Sequence, residues 1–188
     1  MNLPNILTVL RIFLTLIFIA LFLQNNLESS IAALGVFTLA SVTDFLDGYY
    51  ARKYHLITRF GKIMDPIADK FLVLSAFVIF MNMELIASWM IILIIIREVG
   101  VTGLRFFAMG RGITLEAESA GKLKTVLQIV AIYLIMGAVT WFQASRGGGM
   151  PEGLLSFVGI LMVLVMGVTV WSGITFIWNN KKEIFSVG

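Results

Sequence analysis

An all-α integral membrane protein, a bundle of six transmembrane helices with both termini in the cytoplasm, is the fold class this sequence predicts. Three observations lead there. Hydrophobic residues make up 59% and charged residues 13% of the 188 positions, whereas an ordinary soluble domain sits nearer about one half and one quarter. Six apolar runs recur, each close to the roughly 20 residues that cross hydrocarbon as a helix. The basic residues collect in alternate connections, the pattern left when Lys and Arg are retained on the cytoplasmic side. The length suits one membrane-embedded domain over residues 1–188.

The first run, residues 5–24, carries Arg11 ahead of an apolar stretch and so has the order of a secretory leader. No small-residue cleavage site follows Gln24, and losing this run would break the alternation of basic loops, so it is expected to stay as a span. Its Asn5, Thr8, Arg11 and Thr15 fall within about 120° at 100° per residue. That polar stripe is expected to face the bundle interior, with Arg11 snorkelling to the helix end as the competing expectation. The second run, 31–50, ends in Asp44 and Asp47, and the third, 63–82, begins among Asp65 and Asp69. Pro66 is expected in the first turn of that third helix, where a missing N–H is tolerated. The fourth run, 86–109, holds Arg97, Glu98 and Arg105, all within about 100° of one another. The fifth, 124–142, opens beside Lys122 and Lys124, and the sixth, 154–178, carries Trp171 and Trp178, which with Trp141 fit an aromatic belt. Connections 24–30, 82–88 and 143–153 hold one basic residue, Arg146, whereas segments 52–62, 111–124 and 179–188 hold nine. No internal repeat of the kind that builds many transporters is visible.

Asp44, Asp47, Asp65 and Asp69 are the only aspartates in the chain. Asp44 and Asp47, three apart, share a helix face; Gly61, Asp65 and Asp69 repeat every four residues and form a stripe. A short turn makes the two helices antiparallel neighbours, so four carboxylates are expected to converge at one depth near the cytoplasmic face. Each would cost roughly 2.5–3.5 kcal/mol at a helix centre on insertion scales, before mutual repulsion. Cations must therefore lie among them. An oxygen-only donor set without His or Cys suits hard divalent ions, and four carboxylates can hold two Mg²⁺ or Mn²⁺ that clamp phosphoryl oxygens. Gly48 and Gly61 would let a ligand approach the backbone, or simply let helices pack closely. Arg52 could meet a phosphate or an aspartate. A structural ion-pair network matching the aspartates with Arg52, Arg59, Lys62 and Lys70 is the plainer alternative. His55, the single histidine, is expected at the surface.

The pattern D-x2-D-G-x2-A-R-x8-G-x3-D-x3-D, filled by Asp44, Asp47, Gly48, Ala51, Arg52, Gly61, Asp65 and Asp69, resembles the signature of the CDP-alcohol phosphotransferases. That resemblance implies six transmembrane helices, a homodimer, and two divalent cations held by the four aspartates. It also implies Asp69 as general base, with Gly48, Ala51, Arg52 and Gly61 bordering the nucleotide; Asn5 and Thr8 on the polar stripe are placed with them, and Arg11 and Glu98 are read as polar support. NLPNILTVLR, TRFGKIMDPIADK, IREVGVTGLR and GKLKT are similar to the branch of the family whose acceptor is sn-glycerol 3-phosphate. The expected reaction moves the phosphatidyl group of CDP-diacylglycerol to that acceptor and releases CMP, at the cytoplasmic face of the inner membrane.

Basic groups from two helices suit an acceptor that bears its own phosphate, so Arg97, Arg105, Lys122 and Lys124 are expected to bind it. Phosphatidylglycerol, serine or inositol phosphate would serve as acceptor in other branches. An intramembrane prenyltransferase would show a second Asp-rich motif and more spans, and a divalent-cation transporter would carry acids across the midplane of several spans. The absence of cysteine excludes disulfides and thiolate chemistry. A net charge of +3 spread over span ends, without a basic patch and exposed aromatics, speaks against nucleic acid as a partner.

Overall fold

All six apolar runs form α-helices in the computed structural model: α1 (Leu3–Phe22), α2 (Leu27–Lys53), α3 (Arg59–Asn82), α4 (Ser88–Gly110), α5 (Ser119–Ala144) and α6 (Glu152–Asn179). The structure describes residues 3–53, 59–113, 115, 119–145, 152–181 and 183, and describes side chains at all of these except 3–4, 45, 47–53, 59–60, 62–63 and 119–120. No strand occurs among the described residues. Three helical stretches are long and apolar enough to cross a membrane on composition alone, Asn5–Phe22, Gly121–Ala144 and Glu152–Asn179. The other three helices carry the aspartates or the Arg97, Glu98 and Arg105 charges.

The helix ends follow from local chemistry. Asn25 takes a left-handed φ of 51° directly after α1, a conformation asparagine tolerates better than most residues. Asn26 then caps α2, its Oδ1 accepting the Ser29 N–H at 2.9 Å. Glu84, at φ 60°, turns the chain between α3 and α4. Gly112 at φ 73° closes α4; the N–H groups of Arg111, Gly112 and Ile113 return to the Ala108 and Met109 carbonyls, which satisfies the last turn. Helix α3 starts at Arg59, four residues before the expected 63, so Pro66 stands in the helix interior rather than in a first turn. Its missing N–H leaves the carbonyl four residues back without a helical donor.

Packing divides the chain into two compact units. In the first, residues 1–82 and 132–150, α1 packs on both α2 and α3. Phe18, Phe22, Phe37, Phe77 and Phe80 are buried at its centre, with ring centroids 5.4–6.5 Å apart, the tilted and edge-on geometry aromatic rings prefer. Ala33, Ala40, Ala68 and Ala76 are fully buried and allow the close helix approach that membrane packing relies on. The second half of α5 belongs here too: Tyr133 stands edge-on to Phe37 and its hydroxyl donates to Thr38 Oγ1 at 3.1 Å.

The second unit, residues 83–131 and 151–188, is built from α4, the first half of α5, and α6. Along α6 the buried residues are Val158, Met162, Val165, Thr169, Ser172, Gly173 and Phe176, one stripe at helical spacing. Ile160, Leu164 and Ile174 on its other faces are at least 60% exposed, as expected of a helix whose solvent is lipid. Trp141, Trp171 and Trp178 are exposed as well.

Candidate active site

In the first unit, the carboxylates of α2 and α3 meet side chains from α1. From Leu27 to Asp44 and from Asn82 back to Asp65 is the same number of residues, about 26 Å of helix at 1.5 Å per residue. Residues one turn apart on α1 reach both aspartates, Thr8 meeting Asp65 and Arg11 meeting Asp44, so the two lie near one level along that helix. Asp65 and Asp69 lie close enough to Asp44 for their charges to interact. The polar stripe of α1 faces inward, as expected: Thr8, Arg11 and Thr15 are fully buried. Thr8 Oγ1 donates to Asp65 Oδ1 at 2.5 Å, and Arg11 Nη1 pairs with Asp44 Oδ1 at 2.5 Å. Arg11 therefore does not snorkel. It spends its charge on a carboxylate that remains 42% exposed.

Gly61 is buried, while Asp65, Asp69 and Lys70 are half-buried. Lys70 turns back along its own helix, Nζ donating to the Pro66 carbonyl at 3.4 Å. No hydrogen bond or ion pair among the described residues engages Asp69. The backbone of Asp47, Gly48, Ala51 and Arg52 continues α2 to Lys53, but their side chains, and His55 altogether, lie outside the described residues.

Hard divalent cations fit the chemistry of this donor set. The described acids offer only carboxylate oxygens, and Arg11 offsets one charge of Asp44, Asp65 and Asp69 together. Two negative charges in partly exposed carboxylates then remain for a cation. Among the described residues no three acidic or histidine side chains are drawn together tightly enough to hold a metal by themselves, and the expected fourth ligand, Asp47, is not described there.

The second unit holds a polar cluster of its own side chains. Glu98, 3% exposed, accepts from Arg97 Nη1 at 3.2 Å and from Lys124 Nζ. Arg97 Nη2 reaches across to Ser172 Oγ on α6 at 2.7 Å. Gln128 Nε2 donates to Thr169 Oγ1 at 3.3 Å, and Ser172 Oγ donates to the Thr169 carbonyl at 3.1 Å. Two of the four expected phosphate-binding residues, Arg97 and Lys124, thus converge on one carboxylate. Arg105 instead lies over the Phe176 ring, 5.3 Å from its centroid, and Lys122 is exposed.

Sequence reasoning passed over Gln128, Thr169, Ser172 and Gly173. The signal was present: Thr169, Ser172 and Gly173 put two hydroxyls and a glycine on one face of an otherwise apolar helix, at a spacing of three and four residues.

The sequence pattern described as CDP-alcohol phosphatidyltransferase matches residues 1–178 of this chain. A Bacillus subtilis protein named CDP-diacylglycerol–glycerol-3-phosphate 3-phosphatidyltransferase is 43% identical over 147 residues, covering 72% of this chain and 76% of its own. A Rickettsia felis protein of the same name is 38% identical over 184 residues, 96% of each chain. Another, from Rickettsia bellii, is 40% identical over 183 residues, again 96% of each.

Proposed function

We infer the reaction from one premise: this chain belongs to the CDP-alcohol phosphatidyltransferase family. It transfers the phosphatidyl group of CDP-diacylglycerol to sn-glycerol 3-phosphate, giving phosphatidylglycerophosphate and CMP. The observation that carries this is the likeness, over 96% of the chain, to relatives named for that activity. The pattern runs over residues 1–178 and so includes parts of both units, which supports one membrane-embedded domain.

Asp44, Asp47, Asp65 and Asp69 would hold two Mg²⁺ or Mn²⁺, which when bound would neutralise the diphosphate and make CMP a better leaving group. The chain's own residues do the rest. Thr8 and Arg11 fix the Asp65 and Asp44 carboxylates, so no reorganisation is left for the moment of reaction. Asp69, engaged by no bond among the described residues, takes the proton of the acceptor hydroxyl. That oxygen attacks the phosphorus carrying the diacylglycerol, and the bond from that phosphorus to the bridging oxygen breaks, releasing CMP. Gly48, Ala51, Arg52, Gly61 and Asn5, with Thr8, border the nucleotide. Arg97 and Lys124, with Arg105 and Lys122 as the more exposed members, receive the acceptor's phosphate.

The spacing of basic connections supports six spans with both termini and the aspartate face in the cytoplasm, in the inner cell membrane; the family resemblance supports a homodimer. Purified protein in detergent, stripped with EDTA, is expected to release CMP only when a divalent cation and glycerol 3-phosphate are both restored. Equal release with serine or inositol phosphate would overturn the acceptor assignment, and release unaffected by chelation would overturn the metal.

A further inference from the structure

Arg97 is a long cation in an apolar surrounding, and α6 determines where its head lies. The side chain is 10% exposed, and beside it Leu93, Val101, Val170 and Ile174 line a cavity of about 310 Å³. In such surroundings a guanidinium that loses its polar partners is costly to keep buried. Among the described residues, its hydrogen bond outside α4 is to the Ser172 hydroxyl at 2.7 Å. Its stem passes Gly173 so closely that a Cβ there would stand 2.9 Å from Arg97 Cγ and 3.6 Å from Nε. Ser172 is itself anchored to the Thr169 carbonyl, and Thr169 to Gln128. Finally, Arg97 Nε is buried without an acceptor among the described residues, a donor that a phosphate oxygen would satisfy.

We propose that Ser172 and Gly173 are positioning residues for the acceptor-phosphate site: the hydroxyl holds one arm of the Arg97 guanidinium, and the missing side chain leaves room for its stem. Neither residue touches the acceptor. Together they orient Arg97 towards a phosphate monoester and so make α6 a determinant of the preference for a phosphorylated alcohol. The inference rests on the assignment of Arg97 and Lys124 to the acceptor's phosphate.

The test is steady-state kinetics of the full-length protein in detergent, varying glycerol 3-phosphate and CDP-diacylglycerol separately. Ser172→Ala is expected to raise KM for glycerol 3-phosphate about tenfold, the low end of the contribution of one hydrogen bond to a charged group, with KM for CDP-diacylglycerol and kcat unchanged. Gly173→Ala is expected to act in the same direction, and Ser172→Thr, which keeps the hydroxyl, to restore the parent value. In an Arg97→Ala background, Ser172→Ala is expected to add nothing. If Arg97→Ala leaves KM for glycerol 3-phosphate unmoved, the site assignment falls and this proposal with it. If Arg97→Ala raises that KM but Ser172→Ala and Gly173→Ala do not, the positioning role alone is overturned. Parallel losses in kcat and both KM values, or additive losses in the Arg97→Ala background, would mark a packing role and overturn it as well.

Discussion

Arg11 carries a full charge into a helix that composition marks as a membrane span, and it is fully buried. A buried cation survives only if it is paired and hydrogen-bonded; Asp44 provides the pair at 2.5 Å, and exposure of that carboxylate on its other side limits the desolvation. Thr8 does the same for Asp65 with a neutral hydroxyl. The consequence is a division of labour: Asp44 and Asp65 are held by α1, and Asp69 is not. We therefore expect Asp69→Asn, nearly isosteric, to lower kcat by about 10²- to 10⁴-fold, the usual contribution of a positioned base, with little change in the melting temperature. CMP release and thermal unfolding in detergent check both halves, and a variant that keeps most of its rate would remove Asp69 from the role of base. Asp44, Asp65 and Asp69 were legible as neighbours from their spacing, and so was the inward polar stripe of α1. The partners were not, because a 3.6-residue period states which side chains share a face but not which neighbouring helix that face meets.

Helix α4 shows the same limit at the scale of an element. Its two arginines within one arc pointed to an anion, and the structure supplies one from the same helix: Glu98 accepts from both Arg97 and Lys124. The cluster keeps one net positive charge, so it remains suited to a phosphate while being stable without it. Removing the carboxylate leaves two cations facing each other in a buried site. Glu98→Gln is accordingly expected to destabilise the protein by about 3 kcal/mol or more, read as earlier denaturation in detergent, whereas Glu28→Gln at the exposed start of α2 is expected to change it by less than about 0.5 kcal/mol. Equal stability of the two variants would show that Glu98 is not the counter-charge. Helix α3 differs from its expectation for a related reason: apolar periodicity places its start after Lys62, but backbone hydrogen bonding begins at Arg59, since helix propagation needs no apolar face once a neighbouring turn is formed.

At the scale of the whole molecule, the absence of cysteine makes the proposed topology directly measurable. Single cysteines at Glu84, between α3 and α4, and at Arg111, after α4, are expected to react with an impermeant maleimide from opposite sides of intact cells and inverted vesicles, Arg111→Cys from the cytoplasmic side. Labelling of both from one side would overturn the six-span arrangement. What the sequence determined by itself was an all-helical chain with helices apolar enough to cross a membrane, and the positions of all six helices to within a few residues, because apolar runs of that length favour helix, whose backbone hydrogen bonds are met within the segment. It also determined the family, because the aspartate spacing is set by helix geometry and survives as a linear pattern. Only the tertiary structure decided that Arg11 and Thr8 hold the carboxylates, that Glu98 binds Arg97 and Lys124, and that Ser172 and Gly173 on a nearly featureless helix shape the surroundings of Arg97. Those pairings join residues up to 75 positions apart, and they exist because a polar group in an apolar interior must find its partner wherever packing brings one.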